Sequence, residues 1–344
     1  MGLRLEERSL PEVMADGELH TGWDELAAAD PRSSYFQTSD WVTSWWETTA
    51  AEPPGVVGTV WDGAHLSGLF PLARVAQPVT GRLPVRPRLL TNAGAGIGTD
   101  HAGWLAVGGA VTLLADWTRQ AGALVLRAVP LELGEAVGGR LMSTTRCPVL
   151  SIDTVEQAMS TKLAKTLRNA RRRLDREEVT FTFKRPGEVT VADLTELYRL
   201  HDLRRTAAGD TPVFEDDDRR AFHARLLDKG TGPNGTAVLV ASRGDEVVGV
   251  LYGFVWQTTF SYYQIGWDPE FRQLSLGSVL VQEAITACAE AGLETFDFLR
   301  GPEDYKYRFG AADVVEGTFA VGRSAGLAML ETAERLRSMR TGEE

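Results

Sequence analysis

Three features of the sequence predict a mixed α/β fold in two tandem domains, with mixed sheets flanked by helices. Strand and helix patterns alternate along the whole chain. The length, 344 residues, suits two domains better than one. The composition, 43% hydrophobic and 24% charged, is that of a chain that buries a core. The domain boundary is placed near residue 150, which gives domains 1–150 and 151–344.

In the first domain a helix is predicted over 39–49. Ser39 or Asp40 caps it, and Trp41, Val42, Trp45 and Trp46 form an apolar face that reads as core. Strands follow at 56–61 and 66–75, joined by the tight-turn signal Asp62-Gly63. A proline-studded stretch, "QPVTGRLPVRPR", then loops out. A helix near 110–121 precedes a buried strand at 123–129. Between them "GIGTDHAGW" sets Asp100 and His101 side by side after three spaced glycines, which reads as a loop.

The second domain opens on a basic helix. Asp153 and Glu156 are spaced as a capping box, and Met159, Leu163, Leu167, Ala170 and Leu174 form a narrow apolar stripe. The remaining faces carry Lys162, Lys165, Arg168, Arg171, Arg172, Arg173 and Arg176. The pattern continues with a strand (179–184), a helix (190–203), the acidic loop "FEDDD" (214–218) and a helix (219–228). A hairpin turning at Arg243-Gly244-Asp245-Glu246 is followed by the strand "TTFSYYQIGWD". A helix then ends before Gly292, and "TFDFLRG" is the next strand. Strand, helix, strand implies a parallel pair with a right-handed crossover.

Several classes are disfavoured. The net charge of −11 opposes binding of nucleic acid by the general surface, and no DNA partner is expected. Cys147 and Cys288 form no CxxC pattern, so neither a disulfide framework nor a metal site is implied. Both are expected to be buried, which disfavours an acyl-cysteine route. The N-terminus "MGLRLEERSL" has no apolar signal segment, and no apolar run reaches the roughly 18 residues of a membrane span. A cytoplasmic location is expected.

The chemistry concentrates at "YQIGWDPEFRQLSLGSVL", residues 263–280, where a strand gives way to a helix. A helix start offers unpaired N–H groups to an anion, and Gly277 admits close backbone approach. The stretch is neither a Walker loop nor GxGxxG. Hairpin, strand, R-x-x-S-x-G, helix and strand, in that order, resemble the donor-binding core of the GNAT N-acyltransferase superfamily. Arg272, Ser275 and Gly277 stand at its three motif positions, with Ser275 where Gly is usual. The resemblance implies an acyl-CoA whose pyrophosphate meets Arg272, Ser275, Gly277 and Ser278, and whose pantetheine arm pairs with Ile265, Gly266 and Trp267.

A wider resemblance rests on "YFQTSDWVTSWWE", "LSGLFPLARV", "STKLAKTLRNARRRL", "LYRLHDLRR" and "GPEDYKYRFG". These blocks are similar, in order, to the double-GNAT acetyltransferases of the CelD/BcsL type, themselves related to Fem-type aminoacyl transferases. It implies two tandem GNAT-like domains: a degenerate first domain on the acceptor side and a second that carries the acyl donor. It implies N-acyl transfer from acyl-CoA or an acyl-phosphopantetheine carrier to the amine of a small molecule or peptide, without metal. Some relatives act in natural-product biosynthesis. An acyl carrier protein stands among the candidate partners. Two alternatives stay open: a Fem-type transferase that uses aminoacyl-tRNA, and a non-catalytic module that binds a carrier or peptide. In the GNAT core the thioester lies where two strands splay, here beside "FDFLRGPEDYKYRFG". Tyr305 or Tyr307 is the candidate acid, Asp297 or Glu303 the candidate base, and Lys306 a group for donor phosphate or acceptor carboxylate. His201, in "LYRLHDLRR", is a further candidate base or acceptor contact.

Overall fold

The computed structural model describes residues 2–49, 53–77, 79, 86–209, 216–230 and 232–341. The chain divides into two compact units, Met1–Thr145 with Val315–Glu344, and Arg146–Val314. The break after Thr145 lies close to the boundary expected at 150. The last stretch of the chain differs from expectation, because it belongs with the first unit.

The first unit runs β1 (Arg4–Ser9), α1 (Leu10–Met14), α2 (Gly17–Ala29), α3 (Ser39–Thr48), β2 (Gly55–Asp62), β3 (His65–Ala76), β4 (Arg88–Asn92), β5 (Leu105–Ala106), α4 (Ala110–Gln120), β6 (Leu124–Pro130) and α5 (Leu131–Ala136). β7 (Arg140–Ser151) crosses into the second unit. That unit continues with α6 (Val155–Ala158), α7 (Thr161–Arg176), β8 (Val179–Lys184), α8 (Val191–Ala208), α9 (Asp217–Lys229), β9 (Gly235–Arg243), β10 (Glu246–Trp256), β11 (Thr259–Trp267), α10 (Leu276–Glu290), β12 (Thr295–Asp297) and α11 (Asp304–Arg308). β13 (Ala312–Val321) and α12 (Ala325–Thr341) return to the first unit.

Within the first unit the strand order is β1-β2-β3-β4-β6-β13, with β5 beside β3. β4 and β6 are parallel there. Its core gathers Val60, Phe70, Leu72, Trp104, Leu114 and Phe319. α3 has the expected aromatic face: Trp41 is fully buried, with the Phe36 ring edge-on at 4.7 Å. Most of the proline-rich stretch, residues 78 and 80–85, lies outside the described residues, as do residues 214 and 215 of the acidic loop.

Within the second unit the strand order is β7-β12-β11-β10-β9-β8. The hairpin β9–β10 closes at Arg243 and Glu246, as its Gly-Asp turn requires. The expected parallel pair is β11 with β12. Gly249 on β10 faces Leu280 of α10, whereas Gly266 on β11 faces the backbone of α8. The two helices therefore cover opposite faces of the sheet. α7 packs beside α10 through Leu167, Ala170 and Leu174, the stripe read from the sequence.

The start of α7 differs from expectation. A break at Met159 and Ser160 separates α6 from α7, and the Ser160 hydroxyl accepts the Leu163 N–H at 3.3 Å. Asp153 instead accepts from the Ser151 hydroxyl at 2.6 Å, so no capping box forms with Glu156. A serine seven residues further along, beside the apolar stripe, serves as the cap instead. No described helix is long and apolar enough to cross a membrane.

Candidate active site

β11 and β12 pair only over Thr259↔Thr295, Phe260↔Phe296 and Ser261↔Asp297. β11 then runs on to Trp267 with β10 as its ladder partner, while the chain after Asp297 turns away. Along Tyr262–Trp267 the edge of β11 facing away from β10 has no strand partner among the described residues. A bulge helps to open it: Tyr252 pairs with Gln264 and Gly253 with Tyr262, so Tyr263 is the extra residue.

The open edge leads to the start of α10. A 3-10 turn, Pro269–Leu274, ends at Ser275, whose φ of 58° and ψ of 35° are left-handed. The Ser275 N–H donates to the Arg272 carbonyl at 3.0 Å, and the Ser278 N–H donates to the Ser275 carbonyl at 3.0 Å. The Ser275 side chain makes no cap hydrogen bond, so the first turn of α10 keeps the polarity of an uncapped helix start. The left-handed backbone also accounts for glycine at this position in the motif. Ser275→Gly should therefore leave the chain about 0–1 kcal/mol more stable, the relief of φ outweighing the added freedom of the unfolded chain. Chemical denaturation reads the stability. A loss of both stability and donor affinity would instead assign the hydroxyl a contact of its own.

The two glycines have physical roles. A Cβ on Gly266 would come to 2.5 Å from the His201 backbone nitrogen and 2.8 Å from the Leu197 carbonyl. Gly266 thus lets α8 lie directly on β11. A Cβ on Gly277 would meet Trp267 Nε1 at 2.8 Å, so the indole lies flush with the first turn of α10. Ile265 is buried in the core under α10, and Arg272 is exposed.

The turn after β12 uses most of the polar groups in "FDFLRGPEDYKYRFG". Leu299 and Gly301 have φ of 56° and 109°. Asp297 Oδ1 accepts the Leu299 N–H at 2.8 Å, a local bond that suits a left-handed residue. Lys306 is 3% exposed, and its Nζ donates to the carbonyls of Leu299 at 3.2 Å, Arg300 at 2.9 Å and Gly301 at 2.9 Å. Glu303 Oε2 lies 2.9 Å from the same nitrogen. Four acceptors for three N–H bonds leave Lys306 with no donor hydrogen for a ligand. Asp297 and Lys306 build this turn.

Tyr305 has a different setting. It packs edge-on to Phe298 at 6.2 Å, and its hydroxyl is hydrogen-bonded to that of Tyr262, the first β11 residue beyond the ladder. Burial holds the Tyr262 phenol well above its usual range, and the bond adds to this while favouring the phenolate of Tyr305. Burial, aided by the Glu303 carboxylate, pushes the Tyr305 phenol up to about 12. The Arg204 guanidinium, on α8, draws both phenols back down. Arg204 Nε is buried and has no hydrogen-bond partner among the described residues. Tyr307 turns elsewhere, and its hydroxyl donates to Asp313 at 2.7 Å.

His201 is 1% exposed, with Nδ1 3.5 Å from Asp202 Oδ1. Burial depresses its pKa, so the ring is neutral at ordinary pH. In the first unit, Asp100 is buried and His101 Nδ1 lies 2.6 Å from Glu316 Oε1. Cys147 and Cys288 are both buried, and burial pushes the Cys288 thiol up, away from nucleophilic use. Tyr262 and Arg204 were not singled out in the sequence. Arg204 lies one helical turn beyond His201 in "LYRLHDLRR", and Tyr262 sits where an alternating strand meets a bulge. Those positions were the available signals.

Residues 161–307 match the family of the acetyltransferase (GNAT) domain. By sequence, no curated protein matches the chain. The fold is similar to the crystal structure of FemX, with a TM-score of 0.63 at 12% identity over 90% of this chain and 98% of that one. It is also similar to the C-terminal domain of a putative lysylphosphatidylglycerol synthetase from Agrobacterium fabrum, with a TM-score of 0.59 at 12% identity over 93% and 96% of the two chains. L-PGS from Bacillus licheniformis gives a TM-score of 0.57 at 12% identity over 92% and 96%. At such identity the likeness is one of fold, and it spans both units. The match to the acetyltransferase (GNAT) domain thus falls within the second unit, in a chain whose fold is similar over both units to that of FemX.

Proposed function

We propose that the second unit transfers an acyl group from a thioester to the amine of a small molecule or peptide, by direct attack. The observation that carries this reading is the open edge of β11, which leads from Tyr262 to an uncapped helix start at Ser275. An extended amide-bearing arm would pair with that edge as an added strand. A diphosphate would sit at the first turn of α10, near Ser275, Gly277 and Ser278. Backbone N–H groups of β11 would hold the oxyanion of the tetrahedral intermediate. The amine loses a proton as it attacks, and the departing sulfur gains a hydrogen bond or a proton from Tyr305.

The pKa values decide how Tyr305 acts. A phenol near 12 is protonated throughout the working range, as an acid must be. It is also roughly three units weaker than an ordinary thiol near 8.5. Full proton transfer to the sulfur is therefore uphill. The hydrogen bond with Tyr262 and the charge of Arg204 both favour the phenolate, and they keep that gap smaller than burial alone would make it. On this reading Asp297 and Lys306 act through the turn they build, and His201 through the packing of α8.

Thiol release from acetyl-CoA in the presence of a pool of amines tests the reaction. Calorimetric titration of CoA tests the site. Gly277→Asp should weaken CoA by about 1–3 kcal/mol, because a carboxylate replaces space meant for an anion. Gly277→Ala supplies the steric control, since it displaces Trp267 without adding charge. Equal affinity in wild type and Gly277→Asp would remove the phosphate assignment. Product formation that is abolished by ribonuclease would replace the CoA donor with an aminoacyl-tRNA.

A further inference from the structure

We propose that the outer face of α7 docks an acidic acyl carrier protein, which delivers its acyl group on a phosphopantetheine arm. This rests on the thioester reading and names the macromolecule that presents the thioester.

The face is unusual for this chain. α7 spans 16 residues, about 24 Å of helix. Lys162, Lys165, Arg168, Arg172, Arg173 and Arg176 are all exposed, and none of them is held in an ion pair among the described residues. They lie opposite the buried Leu167, Ala170 and Leu174. No acidic residue occurs before Asp175, in a chain that holds 47 acidic residues against 36 basic ones. Lys165 and Arg168, Arg168 and Arg172, and Arg172 and Arg176 are like-charge neighbours three or four apart, which destabilises an isolated helix. Lys162 in the first turn also opposes the macrodipole. A merely solvated face would gain from mixed signs, and this one forgoes them. Arg171 shows the contrast: it lies between Asp175 at 2.9 Å and Glu283 at 2.8 Å, over the Phe181 ring at 4.6 Å, and ties α7 to α10.

The strip adjoins a route to the donor site. A groove of about 480 Å³ runs between α7 and α10, lined in part by Arg168, Arg171, Val279 and Gln282. Val279 is one turn from the start of α10, so the groove opens within about 5 Å along the helix from the proposed diphosphate position. A partner on the strip would therefore have its arm beside that position. The strip is also longer than the phosphates of free CoA require. A nucleic acid fits less well: α7 carries no aromatic side chain for bases to stack on, and the net charge of −11 repels a long polyanion.

The test uses the full-length chain and an acetylated holo acyl carrier protein, with fluorescence anisotropy at low and high salt. The variant is Lys165→Glu/Arg172→Glu/Arg176→Glu, whose positions line neither the groove nor the proposed diphosphate site. It should lose at least about tenfold in carrier affinity, and rising salt should weaken the wild type in the same direction. Turnover of acetyl-CoA should stay within about twofold, because the three altered positions lie outside the groove and the proposed diphosphate site. Should the triple glutamate variant misfold by circular dichroism, the corresponding triple glutamine variant should show a smaller loss with the same salt trend. Unchanged carrier affinity would overturn the proposal, as would tight binding of a transfer RNA that the variant abolishes. If the wild type turns over no thioester yet binds the carrier through this strip, the docking stands and the thioester reading fails.

Discussion

Tyr305→Phe should lower kcat by about 10²–10⁴-fold with little change in the donor KM, because it removes one hydroxyl and keeps the ring against Phe298. The pH profile adds a second readout. Burial holds the phenol near 12, so its proton is present at any pH below that. The wild-type kcat should then show no alkaline decline from this group up to about pH 10. Tyr262→Phe removes the bond that favours the Tyr305 phenolate, and should cost about tenfold while leaving the acid in place. Tyr307→Phe should be near wild type, since its hydroxyl faces Asp313. Wild-type kinetics in Tyr305→Phe, for a verified acyl transfer, would remove the acid assignment.

Lys306→Met should destabilise the second unit by about 2–4 kcal/mol, because it strands three carbonyls of a left-handed turn in a buried site. Denaturation reads that cost. Kinetics at a temperature where the variant is folded then separate two roles. A lysine that holds the turn should lower kcat, through a displaced Tyr305, with the donor KM nearly unchanged. A lysine that grips donor phosphate should raise KM. The double variant sharpens the distinction: if both residues act through one hydroxyl, adding Lys306→Met to Tyr305→Phe should lower kcat by far less than the product of the single effects. Multiplicative losses would mean that Lys306 acts independently of Tyr305.

Much of the fold was legible in the sequence because the local signals were strong. The Gly-Asp hairpin turn, the alternation in β9–β11 and the stripe of α7 each had one reading. The start of α7 was misplaced because two capping patterns lie within eight residues, and only packing chooses Ser160 over Asp153. The affiliation of β13 was not legible, since pairing between Ala320 and Val125 joins residues far apart in sequence. At the candidate site, the strand-to-helix junction could be located from its motif. The roles within "GPEDYKYRFG" could not be assigned, because Lys306 and Tyr305 are neighbours whose environments differ only in three dimensions. One is saturated by carbonyls, while the other meets a phenol from a strand more than forty residues away. Gly266 shows the same limit: the family resemblance set it beside the donor arm, and its close contact with α8 was not legible.

The return of β13 and α12 to the first unit also bears on how the chain is made. Leu327, Leu330 and Ala333 of α12 complete a core with Val125 and Leu89, and β13 closes the sheet beside β6. Synthesis from the N-terminus usually lets the first domain fold before the next emerges. Here the ribosome must release the entire second unit before the first can finish its own sheet. The segment that emerges later is therefore the one able to reach its native state sooner, while the earlier one waits with an open β6 edge. A nascent chain arrested soon after residue 314 has emerged should protect the second unit from protease and leave the first cleavable. Exposed edges of this kind recruit chaperones or wrong partners.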